Sequence, residues 1–384
     1  MIDIRGNSGI EPGEGRILIV RHGDNRGRIP DFMHPAFRYI ADYHAGLSRH
    51  LILHETGSWL PALDEVRAVV FLLADPLQEF YPKCYEEALG LARWARDRNF
   101  PVINPPEVLS NSVKSVQAKL WADSGIPTPH CERFECREEL IHILHSKESK
   151  QFPVLIRGDW EHAQNGMRLC RGIEEARAIP AEALVFPGVV TPFIDTRESY
   201  RAAGRRDVWS RLHHTKRVYV FGDVLMANHI HFSDEPIVAS GNSTFAGLRA
   251  CNPGVRRVMK YRKPYWDSLR AEWDFVTGEL EQPELMLKAA RALGLGYLAI
   301  DYASHADGSV VLWEANPYPP LPAWRKAMLP GERQIQAKYN ITYERFASFL
   351  CSLLGATASR NGNARPDQQM QRYPAPVSVG KSRA

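Results

Sequence analysis

The chain has 384 residues, 44% hydrophobic and 24% charged, an ordinary globular composition. That length allows two or three domains at roughly 100–200 residues each. Forty-eight basic residues face 44 acidic ones, but the net +4 sits in the tail: beyond residue 356, Arg360, Arg365, Arg372, Lys381 and Arg383 stand against Asp367 alone. The remainder is neutral overall and carries no basic stripe interleaved with aromatics, so no nucleic-acid partner is expected. No apolar run approaches the ~18 residues of a membrane span, and the N-terminal residues lack the apolar segment of a signal peptide. Six cysteines without a CxxC pair are too sparse for a disulfide framework. These features lead us to expect a cytoplasmic protein with reduced thiols and no membrane partner.

Taken in chain order, residues 1–15 are Gly-rich and polar and read as a flexible leader. Apolar runs at 16–20, 67–73 and 101–103 read as strands, separated by helical stretches at 35–49 and from Pro82 onward. This alternation predicts a small parallel α/β domain over 16–108. A helix over 114–124 opens the next unit and stops at Gly125-Ile-Pro-Thr-Pro129. Strand-like runs follow at 153–156, 184–186 and 189–190. Residues 217–232 read as a hairpin around Gly222-Asp223. Helices at 283–293 and about 334–354 flank the segment 294–318. After Gly355 the chain turns polar and Pro/Gln/Arg-rich, and a disordered basic tail is expected over 356–384.

The segment 297–318 is the most informative. Asp307-Gly308 between two β-type runs signals a tight hairpin. A two-residue turn there, or a symmetric four-residue loop, sets Asp301 directly opposite Glu314, with Asn316 on the same strand face as Glu314. Two carboxylates facing each other across a ladder repel, so a cation should lie between them. Two carboxylates and an amide oxygen are hard donors of the kind Mg²⁺ takes alongside substrate phosphates. The competing reading is an exposed hairpin with both acids in water, against which Ile300, Leu312 and Trp313 make the neighbourhood apolar.

Asp301 followed by Glu314-Ala-Asn316-Pro317 resembles the closing metal motif of the ATP-grasp superfamily, which includes glutathione synthetases, D-alanine–D-alanine ligases and ribosomal-protein glutamate ligases. The resemblance extends backward in order over about residues 110–320. Asn111 to Lys114 with its helix, ending Gly-Ile-Pro-Thr-Pro129, resembles the family's entry helix. Residues 153–157 resemble the strand bearing the second phosphate-binding cation, and 189–194 stand where the adenine hinge belongs. Lys216-Arg-Val-Tyr-Val-Phe-Gly-Asp223 resembles the strand whose arginine touches transferred phosphate. The family usually has lysine where Arg157 stands, a Gly/Ser-rich loop where residues 158–166 carry Trp160 and His162, and an acid in the hinge.

The resemblance implies an ATP-grasp fold, α/β and α+β, with a small N-terminal α/β (pre-ATP-grasp) domain and an ATP-grasp domain of two α+β subdomains over 109–355. It implies an ADP-forming carboxylate–amine ligase working through an acylphosphate. Asp301, Glu314 and Asn316 would hold Mg²⁺, one ion or two, with Mn²⁺ as a substitute. Lys114, Arg157, Gly166, Thr191, Phe193 and Ile194 would hold ATP, and Arg217 and Arg157 would be catalytic. The partners would be small-molecule or peptide carboxylates and amines, in a chain that related enzymes suggest as a homo-oligomer. A catalytically silent ATP-binding protein of the same fold is the alternative.

Other signals compete with this reading. Arg21-His22-Gly23 after the first strand matches a histidine-phosphatase tripeptide, which would make His22 a nucleophile. No second His-Gly segment exists to complete that mechanism, and a βα-loop substrate contact from Arg21 or His22 is the other reading. His213-His214 and His229-x-His231 raise a zinc site without an evident third ligand. Hydrogen-bonded histidines, or a substrate contact from His231, compete with it. Arg197, Arg201, Arg205 and Arg206 read as a solvated loop or a clamp for an anionic acceptor. GxGxxG is absent, which disfavours an NAD enzyme.

Overall fold

A computed structural model describes residues 14–23, 34–147, 151–161, 166–239, 242–243, 262–321 and 332–355. Most of the expected leader, the whole expected tail, and residues 162–165 of the loop after Arg157 lie outside the described residues. Three four-stranded sheets organise the described residues.

The first sheet is parallel, built from β1 (Arg16–Arg21), β2 (Leu51–Glu55), β3 (Val66–Leu72) and β4 (Val102–Ile103) in the order β2-β1-β3-β4. Its central strands are buried on both faces, which is why they read as uninterrupted apolar runs. The sequence reading did not anticipate β2. As an edge strand it needs burial on few positions, and only His54 is fully buried within it.

The second sheet contains β5 (Glu132–Phe134), β6 (Val154–Gly158), β7 (Arg168–Cys170) and β8 (Gly188–Pro192), antiparallel in the order β5-β8-β6-β7. The expected strand at 184–186 does not form. A 3-10 turn at Ala181–Ala183 takes the Leu184 N–H, and Leu184 then packs inward as a core residue.

The third sheet joins β9 (His213–Phe221), β10 (Val224–Ser233), β11 (Tyr297–Ser304) and β12 (Val310–Asn316), antiparallel in the order β10-β9-β11-β12. The Gly222-Asp223 turn forms as expected, with Gly222 in the left-handed region.

Packing divides these sheets unequally. Leu18, Val69 and Phe71 of the first sheet share one apolar cluster with Val218, Leu298 and Ile300 of the third. Ile17, Ile19 and Val70 share a second cluster with Tyr219, Phe221, Tyr297 and Phe346. Asn104 is fully buried and ties the two sheets further: its Nδ2 donates to the Tyr297 carbonyl at 2.5 Å, and its Oδ1 accepts from the Gly296 and Tyr297 N–H groups. The second sheet keeps its own core of Phe134, Leu140, Leu144, Val154, Ile156 and Val190. Cys84, Cys131, Cys136, Cys170 and Cys351 are all unbridged thiols.

Candidate active site

The hairpin β11–β12 places Asp301 opposite Glu314, but by a different route from the one the turn suggested. His305 and Ser309 close a three-residue loop, Ala306 to Gly308, and the pairing runs one residue out of the expected register up to Tyr302–Leu312. A β-bulge between Asp301 and Tyr302, with Trp313 as the extra residue of β12, then restores it. Across the other edge of β11, Asp301 pairs with Arg217 of β9. Arg217 Nε and Nη2 donate to Asp301 Oδ1 and Oδ2 at 2.6 and 2.7 Å, a planar fork on a carboxylate. Burial works against the Arg217 charge, but Asp301 beside it more than compensates and raises its pKa.

Glu314 is held from the opposite side. Arg157 Nη1 of β6 donates to Glu314 Oε2 at 3.2 Å, and Lys114 Nζ lies 3.7 Å from Oε1. The site-facing side of the second sheet, with Leu155, Arg157, Val189 and Thr191, therefore meets the face of the third sheet that carries Arg217, Asp301 and Glu314. Lys114 is 4% exposed at the start of the Lys114–Asp123 helix and also donates to the Glu161 carbonyl. Asp159, fully buried just after β6, fixes that helix start by accepting from Ser115 N–H at 2.9 Å and Ser115 Oγ at 2.7 Å. One turn along the helix, Gln117 Oε1 accepts from the Ala315 N–H at 2.6 Å and so clamps the edge strand β12 beside Glu314. The Gly-Ile-Pro-Thr-Pro segment covers the same edge: the Pro127 carbonyl accepts from Leu312 N–H, and Thr128 Oγ1 donates to the Leu312 carbonyl.

Of the remaining expected nucleotide contacts, Thr191 lies on the second sheet, Phe193 and Ile194 follow the end of β8, and Gly166 sits in the turn before β7. Thr191 is buried on β8 opposite Leu155. Phe193 follows it, its N–H bonded to the Pro153 carbonyl and its ring against His213 at 5.7 Å. Ile194 is half-buried next to Asp195. Burial opposes the Asp195 charge, but hydrogen bonds from Arg197 outweigh it and lower the carboxyl pKa. Gly166 is exposed with φ +68°, at the far end of the loop after β6. Lys114, Arg157 and Glu314 thus come together, as do Arg217 and Asp301.

No protein-family model matches the sequence, and no curated protein matches it in sequence either. Solved structures match it in fold. D-alanyl-alanine synthetase A from Vibrio cholerae superposes with a TM-score of 0.51 at 14% identity, covering 90% of this chain and 98% of that one. An ATP-grasp ligase associated with ribosomally made peptides from Chryseobacterium gregarium scores 0.47 at 15% identity, covering 91% of this chain and 99% of that one. A RimK-domain ATP-grasp protein from Sphaerobacter thermophilus scores 0.46 at 14% identity, with 87% and 98% covered. The chain has the ATP-grasp fold.

Several residues outside this constellation are absorbed by packing. His22 does not carry the geometry of a phosphatase nucleophile. Its Nε2 accepts the Ala74 N–H at 2.7 Å, its Nδ1 lies 3.8 Å from Cys84 Sγ, and burial lowers its pKa to about 4. His213 is likewise lowered to about 4, burial leading and Arg197 adding to it. His214 is buried among Tyr200, Trp209 and Phe232 and accepts the Ser304 N–H through Nε2. Among the described residues no group of three or more His, Cys, Asp or Glu is arranged to hold a metal. Arg197 and Arg201, on the Thr196–Ala202 helix, pair with its capping residue Asp195, and Arg205 pairs with Asp207. No helix among the described residues is long and apolar enough to cross a membrane.

Sequence reading missed Asp159 and Gln117, which position Lys114 and β12 without belonging to any recognisable pattern. It also missed Lys216, which points to the other face of β9. There Nζ is enclosed by Trp209, Phe275 and Tyr302 and donates to both oxygens of Glu281. A lysine adjacent to Arg217 gave no signal that it would be buried.

Proposed function

We propose that this chain is an ATP- and Mg²⁺-dependent carboxylate–amine ligase acting through an acylphosphate. The observation that carries the reading is the polar constellation between two sheets: Arg217, Asp301 and Glu314 on one rung, with Lys114 and Arg157 reaching Glu314 from the other side. Three cations converge on two carboxylates, an arrangement that can exchange its internal partners for phosphates and metal. Arg157 Nε supports the same view, being a buried N–H without a hydrogen-bond partner among the described residues. An orphaned buried donor costs about 1–3 kcal/mol, and a phosphate oxygen would satisfy it.

The donor set fits Mg²⁺: two carboxylates and the Asn316 amide oxygen are all hard oxygen ligands. Asp301, Glu314 and Asn316 would hold the metal, which when bound neutralises phosphate charge and orients the triphosphate. In this reading Lys114 and Arg157 leave Glu314 for the ATP phosphates. Thr191, Phe193 and Ile194 lie along the base, and Gly166 belongs to the loop over the phosphates. Arg217 steadies the oxygens of the phosphoryl group in transit. A free carboxylate is a poor electrophile. Phosphorylation supplies a leaving group, and that transfer needs positioning and charge neutralisation, not a nucleophilic side chain. This is the chemistry that the constellation can perform.

The Vibrio cholerae protein it resembles is named D-alanyl-alanine synthetase A, so amino acids are the first acids and amines to test. A pool of amino acids labelled with ¹⁸O in their carboxylates, incubated with Mg²⁺ and ATP, tests the reaction. The expected products are ADP and inorganic phosphate carrying one ¹⁸O atom. Unlabelled phosphate, or AMP with pyrophosphate, would contradict the acylphosphate route.

A further inference from the structure

The polar rung does not stop at Arg217. On the far side of β9, Arg217 pairs with His229 of β10, so His229, Arg217, Asp301 and Glu314 follow one another across all four strands of the third sheet. Neighbouring strands lie about 4.8 Å apart, which sets His229 one strand spacing from Arg217 and two from Asp301. Two residues on, His231 pairs with Thr215, and the two imidazole rings lie against each other, centroids 4.1 Å apart and planes tilted by 35°. Both histidines are half-buried. The alternate residues Ile230 and Phe232 enter the cluster with Val208 and Ala271 on the opposite face. The pair therefore shares the face of Arg217 and Asp301, at the edge of the sheet opposite to the Glu314 edge that Arg157 and Lys114 reach.

We propose that His229 takes the proton from the attacking amine in the second half of the ligation, with His231 packed against it to hold the ring. The inference rests on the ligase reading above and adds a residue and a direction to it. Nucleotide phosphates enter from the Lys114 and Arg157 side, and the phosphoryl group crosses toward Arg217. The acyl carbon then lies beyond Arg217, beside His229. An amine arrives at neutral pH as an ammonium ion and cannot attack until it loses a proton. His229 accepts that proton and frees the nitrogen lone pair. The nitrogen attacks the acyl carbon, the C–N bond forms, and the C–O bond to phosphate breaks with its electron pair leaving on the phosphate oxygen. The second N–H proton passes to the departing phosphate, and solvent recovers the proton held by His229. Imidazole suits this role because its ordinary pKa lies near neutrality. Arg217 next to it cannot serve, since it stays charged throughout.

Hydroxylamine separates the two halves, because it is largely unprotonated at neutral pH and needs no base before attack. With pooled amino acids, Mg²⁺ and ATP, His229→Gln is expected to form hydroxamate at the wild-type rate. The same variant should lose amine coupling by about 10²-fold or more. His231→Gln should show a smaller loss of the same kind. If His229→Gln couples amines as wild type does, or if both rates fall together, the assignment of His229 is overturned while the ligase reading stands. If wild type itself forms no hydroxamate, the ligase reading falls and takes this inference with it.

Discussion

Both oxygens of Asp301 accept from the Arg217 fork. Removing the arginine leaves a half-buried carboxylate without its counter-charge, one of the costly single changes in a folded protein. Arg217→Ala is expected to lower stability by about 2 kcal/mol in urea unfolding, and Arg217→Lys by less, since lysine keeps the charge but not the fork. Equal stability for both variants and wild type would show that the pair is solvated and weak. Glu314 and Asp301 were legible from the sequence because their chemistry is local to one hairpin. Asp159 and Gln117 were not, because each acts on a segment far away in the chain and carries no pattern of its own.

The elements that aim these side chains have two points of tight geometry. Gly308 turns the β11–β12 loop at φ +82°, where any other residue is strained, although a Cβ there would meet nothing within 4 Å. Gly308→Ala should therefore cost about 1 kcal/mol through the backbone alone. Gly188 of β8 is the opposite case: an added Cβ would lie 2.3 Å from Cζ of Phe134, in the core of the second sheet. Gly188→Ala should cost about 1–3 kcal/mol by overpacking, and should weaken ATP binding by displacing the strand that pairs with Arg157. Urea unfolding and ATP titration of the two variants check the contrast, which fails if Gly308→Ala is the more damaging to ATP binding. The hairpin also shows what periodicity can and cannot reveal. Asp307-Gly308 marks the turn, but a three-residue loop and a bulge at Trp313 are each one residue away from the simple pattern. They cancel at Asp301 and Glu314, so the pairing was readable even though the path to it was not. The three-residue strands β5 and β7 are too short to show any alternation.

Three buried histidines, His22, His213 and His214, tie stability to pH. His22 and His213 have folded-state pKa values of about 4, and His214 lies well below its ordinary value, so all three are neutral in the fold near pH 6. The unfolded chain binds those protons at its ordinary pKa of about 6.5, hence stability is full above that pH and falls as pH drops from about 6.5 toward 4. For His22 the loss across that window amounts to about 3 kcal/mol. His22→Gln should take up about one proton fewer on unfolding at pH 5, seen as a shallower fall of melting temperature with pH than in wild type. An unchanged slope would place the wild-type proton uptake elsewhere. The shared core of the first and third sheets lay beyond sequence reading, because it joins runs some 200 residues apart that each look like ordinary buried strands.

In the proposed reading Glu314, balanced by Lys114 and Arg157, exchanges those cations for Mg²⁺ when ATP binds. Melting temperature with ATP, with and without Mg²⁺, for wild type and Glu314→Gln side by side, tests this exchange. Ligand at 100 times its dissociation constant adds about 2.7 kcal/mol to wild type, a clear upward shift. That shift should require Mg²⁺ in wild type, and its Mg²⁺-dependent part should vanish in Glu314→Gln while the variant still unfolds cooperatively. A Glu314→Gln protein that responds to Mg²⁺ and ATP as wild type does, or a wild type that responds to neither, would contradict the assignment.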